Sequence, residues 1–242
     1  MLHDIQENRQ EPHSARHSRR SLLILGGGAT AALVLLDVQQ AFAQVGLPGL
    51  GLGLPGLGGG IQGGTFGVGD IAILNYAYAL EQLEAAYYTT VLEQPYHGMS
   101  ASEGELLAQI RDHEIAHREF LKQALGSSAI PTLQVDFSRV NGASRASVLT
   151  SARSFEDLGV SAYNGAGQLL SNPQYLAAAG SIVSVEARHA ATIRDLINPL
   201  STAFAGNDVV DSKGLDGARL PSQVLPKVKP YVLSPIDPGQ LP

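Results

Sequence analysis

Asp112-His113-Glu114-Ile115-Ala116-His117 and Val185-Glu186-Ala187-Arg188-His189-Ala190 each contain Glu-x-x-His inside a segment with helical hydrophobic periodicity. Each is preceded by a single glutamate with a tyrosine seven residues beyond it, Glu81 with Tyr88 and Glu156 with Tyr163. The Glu-to-Glu separations are 33 residues (81 to 114) and 30 (156 to 186), so the halves read as a duplicated helical hairpin. Residues three and four apart share a helix face. Leu107, Ile110, Glu114, His117 and Leu121 therefore form one stripe, and Ala179, Ile182, Glu186, His189, Ile193, Leu196 and Leu200 a second. Leu74, Tyr78, Glu81, Ala85, Tyr88 and Leu92 make a third, and Leu149, Ala152, Glu156, Gly159, Tyr163 and Leu170 approximate a fourth. Acids and imidazoles occupy core positions on all four.

Four ionised carboxylates crowded into a bundle interior would cost several kcal/mol each and repel one another. Two divalent cations balance them charge for charge, with the imidazoles as neutral ligands. The six candidate metal ligands are therefore Glu81, Glu114, His117, Glu156, Glu186 and His189. Glu84, one turn from Glu81, is an alternative ligand or a group behind the ligands. His113, rotated about 100° from Glu114, belongs behind the ligands or in solvent, and His97 at the surface. Asp112, Arg188, Arg194 and Asp195 read as solvated helix charges.

The fold class expected is all-α, a four-helix bundle over 70–204. The first helix starts with Asp70 as N-cap and runs to about Gln94, before Pro95. Ser102 and Glu105 form a capping box for the second, which Gly126 closes. A long connection, 127–142, leads to a third helix over about 144–170. Asn172 as cap and Pro173 at the first helical position open the fourth, which ends near Asn198-Pro199. From 205 to 242 the Pro-rich tail is expected to be extended and held to the bundle by Val224, Leu225, Val228, Tyr231 and Val232.

The run from Ile71 to Tyr88, with the two Glu-x-x-His segments, resembles the ferritin-like superfamily, and more narrowly the exported ferritin-like proteins that include the desiccation-related group. In that superfamily one Glu from each of two helices and Glu-x-x-His from the other two project inward. The resemblance implies one long crossover, which 127–142 supplies. It implies that Glu81 and Glu156 are single-Glu ligands, that Glu114 and Glu186 bridge or chelate, and that His117 and His189 each take one metal. Tyr88 and Tyr163 resemble tyrosines that hydrogen-bond ligand carboxylates. The cofactor implied is a pair of divalent ions, iron or manganese, and zinc would also bind such donors.

Residues 1–43 read as an export signal: Arg9, Arg16, Arg19 and Arg20, an apolar run from Leu22 to Leu36, then Ala41-Phe42-Ala43 as a cleavage site. Ser18-Arg19-Arg20-Ser21-Leu22-Leu23 resembles the twin-arginine motif. The apolar run of about 15 residues is shorter than the roughly 20 that span a bilayer, so no stable membrane span is expected after cleavage. Residues 44–69 repeat Leu-Pro-Gly-Leu-Gly and read as a flexible linker of about 25–30 Å reach. With no cysteine there is no disulfide or lipid anchor. The export segment holds four basic and four acidic residues, so the remainder keeps the formal net charge of -6, which argues against a nucleic-acid partner.

The function expected is an exported, periplasmic or extracellular di-metal protein that reacts with oxygen or peroxide in oxidative or desiccation stress. Whether it is an enzyme stays open, and no catalytic residue beyond the ligands is assigned. The alternative is a metal-free or structurally metallated bundle serving stress tolerance or surface association. The long terminal extensions fit poorly in a 24-subunit storage shell; a homodimer is the assembly considered.

Overall fold

In the computed structural model, residues 63–242 are described. The export segment and the linker up to residue 62 lie outside them. Helices α1 (Gly69–Glu93), α2 (Ala101–Leu125), α3 (Arg145–Gly167) and α4 (Pro173–Ile197) form the all-α bundle expected. α1 packs most extensively on α2 and α3 on α4, and the hairpins meet chiefly through α1 against α3. No helix among the described residues is long and apolar enough to cross a membrane.

Several helix ends differ from the sequence expectation. Val68, extended at φ -133°, is the N-cap of α1. Asp70 lies instead in the first turn, where a carboxylate suits the helix dipole, and accepts the backbone N–H groups of Ser171 and Asn172 at 2.8 Å each. It thereby ties the α3–α4 turn to the start of α1. The capping box of α2 is Ser100 with Glu103, two residues before the expected pair, because Ser100 is the residue in extended conformation after the Gly98 turn. Gly126, at φ 54°, closes α2 as expected. Asn172 and Pro173 open α4 as expected. α3 ends three residues early, with Leu169 and Leu170 already in a turn.

α1 is buried nearly all round, the mark of a helix enclosed by protein. The crossover covers its outer face. Asn75, itself buried, donates to Phe66 and Ser128 carbonyls and accepts from Ile130 N–H at 2.9 Å, and Gln82 accepts from Leu133 N–H at 2.8 Å. Two buried amide side chains of α1 thus strap the crossover down.

The tail is packed but not simply extended. Pro221–Val228 forms a short helix, α5, with Val224 and Val228 buried one turn apart, and Pro221 sits at the first helical position, where its missing N–H costs nothing. Just before it, the backbone lies directly on α3: Arg219 N–H donates to the Ser161 carbonyl at 2.8 Å, and a Cβ at Gly165 would come within 1.9 Å of the Arg219 carbonyl oxygen. Strand β1 (Gly64–Thr65) pairs in parallel with β2 (Ile236–Asp237), and Phe66 is fully buried. The last residues of the expected flexible linker are therefore built into the fold, because the tail offers them a strand edge and the core a place for an aromatic ring.

Two side chains reverse their expected exposure. Leu200, placed on the α4 stripe, lies beyond the helix end, fully exposed at φ 57°. Arg194, read as solvated, is buried and makes paired hydrogen bonds to Asp157 and to Asp208, plus one to the Ala203 carbonyl. Those bonds satisfy the guanidinium's forked donors and join α3, α4 and the segment after it.

Candidate metal centre

Each bundle helix turns its glutamate inward at mid-height, and Glu81, Glu114, Glu156 and Glu186 have no exposed surface. His117 Nδ1 lies 2.9 Å from Glu186 Oε1, 3.4 Å from Glu81 Oε2 and 3.6 Å from Glu114 Oε2. His189 Nδ1 lies 2.7 Å from Glu114 Oε1, 3.6 Å from Glu156 Oε2 and 3.7 Å from Glu186 Oε2. Each imidazole thus faces the single Glu of its own hairpin, the Glu one turn before it, and the Glu-x-x-His glutamate of the other hairpin. The structure brings all six side chains together as two overlapping sets, Glu81, Glu114, His117 and Glu186, and Glu114, Glu156, Glu186 and His189. Within each set the ligand-type atoms lie within 4.8 Å of one another, and Glu114 and Glu186 belong to both.

Proximity here is not hydrogen bonding. Glu81 Oε2, Glu156 Oε2, both oxygens of Glu114 and Glu186, and the Nδ1 atoms of both histidines are buried without a properly directed partner. Native interiors leave few such groups. Eight of them pointing at shared points is what a cation between them explains, so the donors present fit a metal pair. The other oxygens of the two single glutamates are engaged: Tyr88 donates to Glu156 Oε1 and Tyr163 to Glu81 Oε1. Each tyrosine holds the carboxylate of the opposite hairpin, a crossing that spacing along one helix cannot reveal.

The electrostatics of the protein without metal follow from this crowding. Burial drives the Glu156 carboxyl up to about 7, against the downward pull of His189. Burial, reinforced by Glu186, also raises Glu114 well above the carboxylate range. For His189 burial pulls down, but Glu114, Glu156 and Glu186 outweigh it and push the imidazole up to about 12. His117 is raised for the same reason, with Glu81 the chief opponent of burial. Without metal, protons sit on Glu114, His117 and His189, while Glu186, despite its burial, is held down to about 2 by those two imidazoles.

Glu84 stands apart. It is buried, its Oε2 has no hydrogen-bond partner, and burial raises its pKa well above the ordinary value, with Glu186 adding to the effect. It falls in neither ligand set. Its carboxylate occupies the space left by Gly159, whose Cβ would meet Glu84 Oε1 at 3.1 Å. Gly159 is the α3 position that corresponds to Glu84 on α1, so the two hairpins are asymmetric there.

His113 sits behind a candidate ligand. Its Nδ1 lies 2.8 Å from His189 Nε2, fixing the ring nitrogen that faces away from the carboxylates. The sequence signal for this was only its place beside Glu114, which does not show that α4 would bring His189 within reach. His97 is exposed, as expected.

The family model for the ferritin-like domain matches residues 69–199, which span α1 to α4 and all six convergent side chains. No curated protein matches the chain.

Proposed function

The chain belongs to the ferritin-like domain family, and from that premise we propose that it is an exported di-metal protein that consumes oxygen or peroxide in oxidative or desiccation stress. The observation that carries the reading is the group of eight buried ligand atoms that face one another without hydrogen-bond geometry. Glu81, Glu114, His117 and Glu186 would hold one ion and Glu114, Glu156, Glu186 and His189 the other. Carboxylate and imidazole donors suit iron or manganese and also accept zinc. A redox-active pair supplies two electrons, enough with two protons to take hydrogen peroxide to two waters or dioxygen to hydrogen peroxide.

The chain's own residues prepare that chemistry. Four carboxylates neutralise the ions, Tyr88 and Tyr163 fix the two single-Glu ligands, and His113 orients His189. Apolar neighbours such as Ile110, Leu121, Ile182 and Ile193 exclude water from the centre. Export rests on the Arg19-Arg20 motif, the apolar run and Ala41-Phe42-Ala43.

One observation favours the alternative of a bundle that needs no metal: the imidazoles lie 2.7 and 2.9 Å from carboxylates and could neutralise them as ion pairs. Elemental analysis of protein purified from its own compartment, with oxygen- and peroxide-consumption assays, separates the readings. Stoichiometric iron or manganese, with turnover that Glu114→Ala abolishes, is the expected result. A protein free of transition metal would overturn the proposal, and bound metal without turnover would leave a structural or storage role.

A further inference from the structure

Beside the ligand layer lies a cavity of about 30 Å³, lined by residues of all four bundle helices. Ala77 lies four residues before Glu81, Ile182 four before Glu186, Leu121 four after His117 and Tyr163 seven after Glu156. Because α1 and α4 run opposite to α2 and α3, these positions fall at the same end of the bundle, starting one helical turn, roughly 6 Å, from the ligands. Tyr163 joins the two regions directly, since it lines the cavity and donates its hydroxyl hydrogen to Glu81. Phe120, Ala124, Leu170, Tyr175, Ala178 and Ala179, the half-buried members of the wall, mark where the cavity approaches the surface.

The volume is enough for one or two water-sized molecules, but an ordered water needs two to four polar partners and apolar cavities stay dry. Alanine, leucine and isoleucine side chains make up most of this wall. The Tyr163 hydroxyl is already engaged, and Tyr76 offers a single hydroxyl without a partner. Hydrogen peroxide, with two donors and two acceptors, would find at most the Tyr76 and Tyr175 hydroxyls there to replace its hydration. A diatomic apolar molecule loses nothing.

We propose that this cavity is a dioxygen-binding pocket serving the adjacent centre, so that dioxygen, and not peroxide, is the oxidant it admits from that side. The proposal rests on the metal-site reading above and narrows its substrate.

Crystals of the full chain pressurised with xenon test the pocket whether or not metal is bound. Xenon bounded by Tyr76, Ala77 and Tyr163 is the expected result; no xenon there, or an ordered water on the Tyr76 hydroxyl, would overturn it. Ala77→Val, and separately Ala179→Val on the opposite wall in case the first variant fails to fold, fill the space. Either should lose the xenon site and lower the ratio of the dioxygen rate to the peroxide rate. An unchanged ratio in a folded, metal-loaded variant that has lost xenon overturns the proposal. Metal content measured on the same samples distinguishes this failure from failure of the metal site itself.

Discussion

Tyr88 of α1 donates its hydroxyl hydrogen to Glu156 of α3, and Tyr163 of α3 returns the arrangement to Glu81 of α1. The two hairpins are therefore joined at the candidate metal layer by a reciprocal pair of buried hydrogen bonds. Each leaves one carboxylate oxygen pointing at the centre. Tyr88→Phe keeps the ring and removes the donor, so Glu156 Oε1 is left buried and unsatisfied, at a cost of about 1–3 kcal/mol. Loss of such a supporting bond weakens metal binding by roughly 10–100-fold. Glu156 belongs only to the His189 set, so competition titrations should show one of two ions weakened in Tyr88→Phe and the other weakened in Tyr163→Phe. Equal loss of both ions from either variant would contradict the assignment.

Sharing of ligands sets a stoichiometric pattern. Glu114 and Glu186 enter both sets, whereas Glu81 and Glu156 enter one each. Glu114→Ala and Glu186→Ala should each lose both ions, and Glu81→Ala and Glu156→Ala should each retain one. Metal-to-protein ratios by elemental analysis decide the matter, with folding confirmed by circular dichroism.

Stability should depend on pH with opposite slopes in the presence and absence of metal. Without metal, Glu156 titrates near 7 in the folded chain against an ordinary value of 4.5, and His189 near 12 against 6.5. Both groups bind protons more tightly folded than unfolded. Their favourable contribution is complete below the unfolded values and is lost as pH rises through the folded ones. Metal binding displaces these protons, so its stabilisation grows as pH rises. Thermal melts from pH 5 to 8, with chelator and with manganese, should show a gap in Tm that widens toward pH 8; parallel curves would refute the linkage.

Gly165 is required by contact and not by backbone conformation. An alanine there would drive its Cβ into the Arg219 carbonyl, at 1.9 Å in the present geometry. Gly165→Ala should cost about 1–3 kcal/mol by overpacking or release the tail from α3. Denaturant unfolding measures the first, and faster tryptic cleavage at Arg219 or Lys227 the second. Metal content should be unaffected, since the tail supplies no ligand among the described residues.

The convergent glutamates and histidines were legible as candidate ligands because a polar residue on an apolar helical stripe is conspicuous along a single helix. Asn172-Pro173 and Gly126 were legible because helix ends are chosen by the residues that form them. Ser100 was missed in favour of Ser102 because both serines stand three residues before a glutamate, and only the path of the chain after Gly98 selects between them. Pro-rich composition concealed α5, whose helicity depends on burying Val224 and Val228 against the bundle.

By itself the sequence determined the helical period and the six side chains that face inward, properties of residues within about two turns of one another, and the matched Glu-to-Glu spacings of its two halves revealed the duplicated hairpin. The tertiary structure alone decided that each tyrosine serves the opposite hairpin, that Glu84 stands outside both ligand sets across from Gly159, that Arg194 is buried and that a cavity lies beside Tyr163. Those features depend on how helices distant in sequence are rotated and spaced. Packing of the whole core sets that rotation and spacing, and no local periodicity encodes it.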